Sequence, residues 1–263
     1  MDYILRFDLS PLDALDKHAL LACQPYNYGD STGWFLSFRG GLIAVRLRVH
    51  AVRKHYLEVH SWTTEPRALA DAEYHLASIF FNMDSALECL VFALNALGNA
   101  VEPSLFRDVT DAKSLRAVSP TDVCSQTKVP LAGYIKYFPK FQKLWLTRLS
   151  LIDEIREQHD VSKHRETIFE GGQVQTDPPP GFYEVLGIAG DPMAQMRFQP
   201  MAEIILRPDP KAPNIARGTG APTPNRLLED LAIEFVDLLN VSAILTAEDA
   251  KANISLIHTS FLR

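Results

Sequence analysis

The feature that most constrains this chain is a run of apolar residues at helical spacing in its first half. Leu69, Ala72, Leu76, Ile79, Phe80, Met83, Leu87, Leu90, Val91, Leu94 and Leu97 recur mostly at intervals of three and four, the period of one face of an α-helix. Phe81, Ala86, Phe92 and Ala93 make the later turns apolar on most sides. A helix of that kind has to be surrounded by protein rather than laid on a surface. Gly98-Asn99 predicts its end, since both residues tolerate a left-handed cap. The longest strongly apolar stretch without a charge, Cys89–Val101, has 13 residues. A membrane span needs about 20, so the expectation is a core helix and no membrane partner.

Further helices are predicted around it. One follows Pro139, with Phe141, Trp145, Leu149, Ile152 and Ile155 as its stripe and a register continuing through Arg156, His159 and Lys163. Another starts at Thr223-Pro224, a hydroxyl cap before a first-turn proline, and turns Leu228, Leu231, Phe235, Leu238 and Leu239 inward. Thr246 is the expected cap of a last helix.

The first 65 residues read differently. Tyr3–Leu9 alternates like a strand, and Ser10-Pro11 opens a helix over Leu12–Ala22. Trp34–Phe38 and Leu42–Val49 flank Gly40-Gly41, which reads as a hairpin, with His55–Trp62 as a third strand. A two-residue period puts Ile43, Val45, Leu47 and Val49 on a core face and Ala44, Arg46, Arg48 and His50 on a basic one. With Arg39, Arg53, Lys54 and His55 that face suits a phosphate backbone. The region nevertheless carries seven Lys/Arg against seven Asp/Glu, so an outward polar sheet face is the plainer reading. His50, His55 and His60 recur every five residues, which alternates faces on a strand and argues against a shared metal site.

Ten of the 17 prolines lie between Pro178 and Pro224. Gly171–Arg207 holds strand-like pieces at Phe182–Leu186 and Glu203–Leu206, and Pro208–Pro224 has the composition of a linker or lid. The expected architecture is mainly α: a small α+β unit with antiparallel strands over residues 1–65, then a helical bundle over residues 66–263. A proline-rich β-hairpin insertion occupies residues 171–222 of that bundle.

The chemistry-bearing residues are local. A net charge of −6 over 263 residues gives no global basic field to attract nucleic acid or membrane. Three cysteines, none within 35 residues of another, suit isolated thiols in a reducing compartment, so a cytoplasmic location is expected. There is no P-loop, GxGxxG, GxSxG or HExxH, hence no expected cofactor or metal. The densest reactive cluster is IREQHDVSKHRE, residues 155–166. On an unbroken helix Arg156, His159 and Lys163 share a face, while His164 lies about 140° from His159. An Arg and a His projecting from a buried stripe suit phosphodiester chemistry, with the guanidinium on the phosphate and the imidazole moving protons near neutral pH. The bland alternative is a solvated helix end whose cations pair with Asp153 or Glu157.

A long apolar helix (FFNMDSALECLVFALNALG, Phe80–Gly98) followed by one ending in IREQHDVSKHRETI (Ile155–Ile168) resembles the HEPN superfamily of small helical bundles. The family's pattern is an Arg, often followed by Asn, then four to six residues and a His. Here two residues separate Arg156 from His159, seven separate it from His164, and Glu157 stands at the Asn position. The resemblance spans roughly residues 66–170 and 223–262. It implies a homodimeric, metal-independent RNA endonuclease of toxin or defence type. It also implies Arg156 on the phosphate and His159 or His164 for proton transfer, with Lys163 and Arg165 beside them as candidate RNA contacts; Arg46, Arg48, Arg53 and Lys54 are candidate RNA contacts on the separate ground of the basic sheet face. His164 is slightly preferred, because Asp160 or Ser162 is placed to break and recap the helix. Members without the catalytic pair imply the other reading, a non-catalytic interaction or scaffold module. Such a module would bind a protein or RNA partner through the N-terminal sheet or the proline-rich insertion.

Overall fold

A computed structural model of the protein describes residues 7–23, 32–60, 69–164, 172–175, 182–185, 189–192, 201–204 and 228–253. The apolar run forms α3 (Leu69–Val101), 33 residues or about 50 Å of helix. Its segment Tyr74–Val101 has the length and hydropathy to cross a membrane, but 61% of its most apolar window is buried inside the protein. Ile79, Phe80, Met83, Leu87, Leu90, Val91 and Leu94 lose all contact with solvent. The helix runs through Gly98-Asn99 and stops only after Val101. Gly98 serves packing instead: a Cβ there would sit 2.4 Å from the Phe106 ring, and one at Gly133 would meet the same ring at 2.7 Å. Phe106 is slotted between two glycines.

Residues read as a hairpin form α2 (Thr32–His60), a second long helix. Phe35, Phe38, Leu42, Val45, Val49, Val52 and Tyr56 are all buried. Their spacing of three and four is a helical stripe, and it overrides the strand preference of the valines. Ile43 and Leu47, expected in a sheet core, are exposed at 41% and 65%. Gly40-Gly41 lies inside the helix rather than at a turn. Where the structure describes it, the expected α+β unit is therefore helical over Ser10–Cys23 and Thr32–His60. Phe7–Leu9 is not a strand, and Ser10 starts α1 (Ser10–Cys23); Tyr3–Arg6 lies outside the described residues.

α2 and α3 run antiparallel and make the largest packing surface in the fold. Gly41 meets Ala93 and Cys89, Arg48 meets Asn82, and His55 meets His75. At the far end of that hairpin the His55 and His75 Nδ1 atoms are 2.8 Å apart, so at least one ring must be neutral to accept the bond.

After α3 come the short helices α4 (Ala112–Ala117) and α5 (Thr121–Cys124), then α6 (Pro130–Tyr137) and α7 (Pro139–Thr147). Next is α8 (Leu149–His164). The helix expected after Pro139 is thus two helices, broken at Arg148, whose guanidinium lies within 4 Å of Glu234 and Asp237. α8 itself is unbroken through His164, so Asp160 and Ser162 do not recap it. The last helix is α10 (Leu228–Asn253). Thr246 is buried inside it rather than capping a separate helix, and Thr223-Pro224 lies outside the described residues. α10 packs on α1 and α7. Its Ser242 accepts the Trp145 indole N–H at 2.9 Å. Its Asp249 accepts the backbone N–H groups of Lys140 and Phe141, capping an α7 N-terminus that has no side-chain cap of its own.

The expected proline-rich hairpin is not supported. Phe182–Leu186 holds the helical turn α9 (Phe182–Val185), because Phe182, Tyr183 and Val185 put apolar groups on both parities and deny a two-residue period. Two four-residue strands, β1 (Gly172–Gln175) and β2 (Met201–Ile204), pair antiparallel with Gly172 opposite Ile204. Residues 208–224, read as a linker, lie outside the described residues.

Adjacent glycines yield opposite expectations. A Cβ at Gly40 meets nothing within 4 Å, whereas one at Gly41 falls 2.8 Å from the Ala93 Cβ and 2.8 Å from the Cys89 carbonyl. Gly40→Ala is expected to stabilise by about 0.5–1 kcal/mol through helix propensity alone. Gly41→Ala is expected to destabilise by about 1–2 kcal/mol, because two rigid helices must separate. Urea unfolding of the two variants checks the sign.

The histidine pair yields a pH dependence. Burial, then His75 and Lys54, hold the His55 pKa below its ordinary value of 6.5, with Glu58 opposing. The unfolded chain therefore binds the proton first, and stability falls as the pH drops through 6.5 toward the folded value. The urea midpoint is expected to fall between pH 7.5 and 5.5, by less in His55→Gln.

Candidate functional site

The site starts from one carboxylate in an apolar helix. Asp84 stands among Phe80, Met83 and Leu87 on α3 and is 6% exposed. A buried carboxylate needs a donor or a cation, and α8 supplies both. His159 Nδ1 is 2.6 Å from Asp84 Oδ2, and Arg156 Nε is 3.9 Å from Oδ1. A carboxylate only accepts, so the proton of this bond sits on His159 Nδ1. The Asp–His–Arg cluster joins the two helices and keeps the His159 side chain 12% and the Arg156 side chain 34% exposed.

The cluster continues onto α2. The Phe81 ring meets His159 edge to face at 5.3 Å between centroids, and the Arg48 guanidinium carbon lies 5.3 Å from the centroid of the same ring. Arg48 also reaches Asn82 Oδ1 at 3.4 Å. Phe81 is 44% exposed, so the row from Arg156 to Arg48 brings an aromatic ring and two part-exposed guanidiniums to one surface, beside the largely buried His159 imidazole. Stacking rings and cations together are what single-stranded nucleic acid uses.

Next to Arg156 is a cavity of about 220 Å³ between α5 and the first turns of α8. Leu149 and Ile152 form its apolar side, and Asp153, Thr121, Ser125 and Cys124 its polar side. Burial and Asp153 push the Cys124 thiol up to about 11, with Arg156 opposing, so it is a neutral wall at physiological pH rather than a nucleophile. The α5 wall is held from a distance. Asn95 on α3 pairs with the backbone of Arg107 through both its amide groups, and the Arg107 guanidinium forks onto the buried Asp122 of α5 at 2.8 Å and 2.8 Å.

The residues singled out from the sequence fall into groups. Arg156 and His159 are brought together, and Arg48 comes close through Phe81. Arg46 is placed elsewhere: it pairs with Asp16 at 3.0 Å and with Asp13, and Arg39 shares Asp16. Arg53 and Lys54 are exposed on α2, a helix and not the sheet face expected for them. Lys163 and His164 lie in the last turn of α8, where the helix geometry puts His164 well round from His159. Arg165 lies outside the described residues. Asp84 and Phe81 were not picked out from the sequence. The signal for Asp84 was its being the lone acid between Tyr74 and Leu87, an isolated charge in a helix that has to be buried. Among the described residues, no group of three or more His, Cys, Asp or Glu is gathered to hold a metal ion. No family model, no curated protein and no solved structure matches this chain, so the functional reading rests on the geometry of these residues.

Proposed function

We propose that this HEPN-like helical protein is a metal-independent RNA endonuclease, acting as a homodimer, with Arg156, His159 and Asp84 as its working group. The observation that carries the reading is the 2.6 Å bond from His159 Nδ1 to the buried Asp84, beside Arg156. In this reading Arg156 neutralises the phosphate, and His159 Nε2 takes the proton of the ribose 2′-hydroxyl as that oxygen attacks phosphorus. The bond from phosphorus to the 5′-oxygen breaks, and the imidazolium returns its proton to the leaving oxygen. The products are a 2′,3′-cyclic phosphate and a 5′-hydroxyl. Asp84 is a positioning residue that holds the tautomer and offsets the imidazolium charge. Phe81 and Arg48 flank the site as a stacking and charge platform for the strand.

The second reading is a non-catalytic module bound to a protein partner. Leu36, Ile43, Leu47 and Leu57 give α2 an exposed apolar row, at spacings of seven, four and ten residues, which favours a helical partner.

The test is cleavage of single-stranded RNA in the presence of a chelator. Wild-type protein is expected to yield fragments ending in 2′,3′-cyclic phosphate. His159→Asn and Arg156→Ala are each expected to lower the rate about 100-fold or more while leaving the helical circular dichroism unchanged. Asp84→Asn is expected to shift the acid limb of the pH–rate profile, which a merely structural carboxylate would not do. Cleavage equally fast in both α8 variants overturns the reading, as does no cleavage by the wild type.

A further inference from the structure

The cavity beside Arg156 has a shape and a lining that the proton-transfer chemistry does not use. At about 220 Å³ it is smaller than the roughly 300–1,000 Å³ of sites for drug-sized molecules, so it accepts one ring system and not a whole nucleotide. Its walls divide by chemistry. Leu149, 37% exposed, offers apolar surface for a planar face, with the buried Ile152 behind it. Asp153 offers a carboxylate, Arg156 stands at the same cavity, and the Thr121 and Ser125 hydroxyls at its rim are already paired with Ser119 and Thr127. Asp153 and Arg156 are three residues apart on α8, on one side of the helix, so a phosphate at Arg156 leaves the group attached to it within reach of Asp153. Asp153 is exposed, which leaves its oxygens able to accept from a ligand.

We infer that this cavity is a nucleobase subsite selective for guanine, seating the base next to the phosphate held by Arg156. A carboxylate has two acceptor oxygens and no donor. Among the four RNA bases only guanine presents two N–H donors side by side on its pairing edge, N1–H and the N2 amino group. Adenine and cytosine each offer one amino group beside an acceptor nitrogen, which faces the carboxylate unfavourably. Uracil offers one N–H between two carbonyls. Unpaired bases are read in this way, by contacts to the pairing edge with the ring face against apolar or aromatic surface. The α5 wall is anchored to the core, because Asp122 of that helix is clamped by Arg107 and through it by Asn95. The inference rests on the RNA reading above for the phosphate at Arg156. It concerns binding, so it is measured without turnover.

The experiment titrates the 3′- and 5′-monophosphates of guanosine, adenosine, cytidine and uridine into the full chain, by calorimetry or NMR. The guanosine nucleotides are expected to bind about tenfold or more tightly than the other three. Asp153→Asn is expected to erase that preference while preserving weak binding of all four. Arg156→Ala is expected to weaken all four alike and keep the ranking. Equal binding of the four bases, no binding of any, or a guanosine preference that survives Asp153→Asn overturns the inference. Selective guanosine binding by a protein that cuts no RNA keeps the subsite and overturns the endonuclease reading. Cleavage that depends on Arg156 and His159 without selective binding does the reverse.

Discussion

The burial of α3 is the constraint on which the rest of the structure depends. A 33-residue helix that is apolar on most sides has no stable place in water unless other elements cover it along its length. α2 covers one side as an antiparallel partner, α8 a second, and α6 reaches a third. The close approach of α2 is possible because Gly41 presents no side chain to Cys89 and Ala93. The Phe106 ring closes the C-terminal end by occupying the space left at Gly98 and Gly133.

The same constraint explains where the polar chemistry sits. A helix so enclosed tolerates a polar side chain only where a neighbour brings a partner, and the buried polar residues Asn82, Asp84 and Asn95 each have one. Asn82 meets Arg48 of α2. Asp84 meets His159 and Arg156 of α8. Asn95 holds the backbone of Arg107, whose side chain then fixes Asp122 and so α5. Each pairing orients one element against α3. Breaking one by removing a single partner leaves a desolvated group and costs more than the pair contributes as a whole. The candidate site is therefore part of what holds the helices in register. Its imidazole and guanidinium are positioned by the same contacts that assemble the core.

The sequence made the helical core legible and hid the second helix. α3 and α10 carry long stripes, so periodicity finds them, although in α10 the cap-like Thr246 suggests a boundary that the helix does not have. In α2 two patterns overlap. Val45 and Val49 fit both a two-residue and a 3.5-residue period, and Gly40-Gly41 imitates a turn. Only the extension of the stripe to Phe35, Phe38, Val52 and Tyr56 separates helix from hairpin. A local reading of ten residues cannot see that the second glycine answers to Ala93, more than fifty residues away. Arg156 and His159 were legible as a pair because an i, i+3 relation is fixed by helix geometry. Asp84 was not, since its pairing with α8 spans 75 residues and depends on tertiary packing.

The unbroken α8 also sets the register of its residues. With the helix continuous from Leu149 to His164, Arg156 and His159 differ by about 300° of rotation, which is 60° the short way round. His164 is five residues further on and turned about 140° from His159. The face that meets α3 therefore carries Arg156 and His159 together with Ile152 and Ile155, and among the described residues Asp84 is the only buried charged group of α3. An imidazole held by a buried carboxylate has a defined tautomer and a defined direction, which proton transfer requires. On a straight helix the short Arg-to-His interval thus puts both side chains beside the one carboxylate of α3 that they meet.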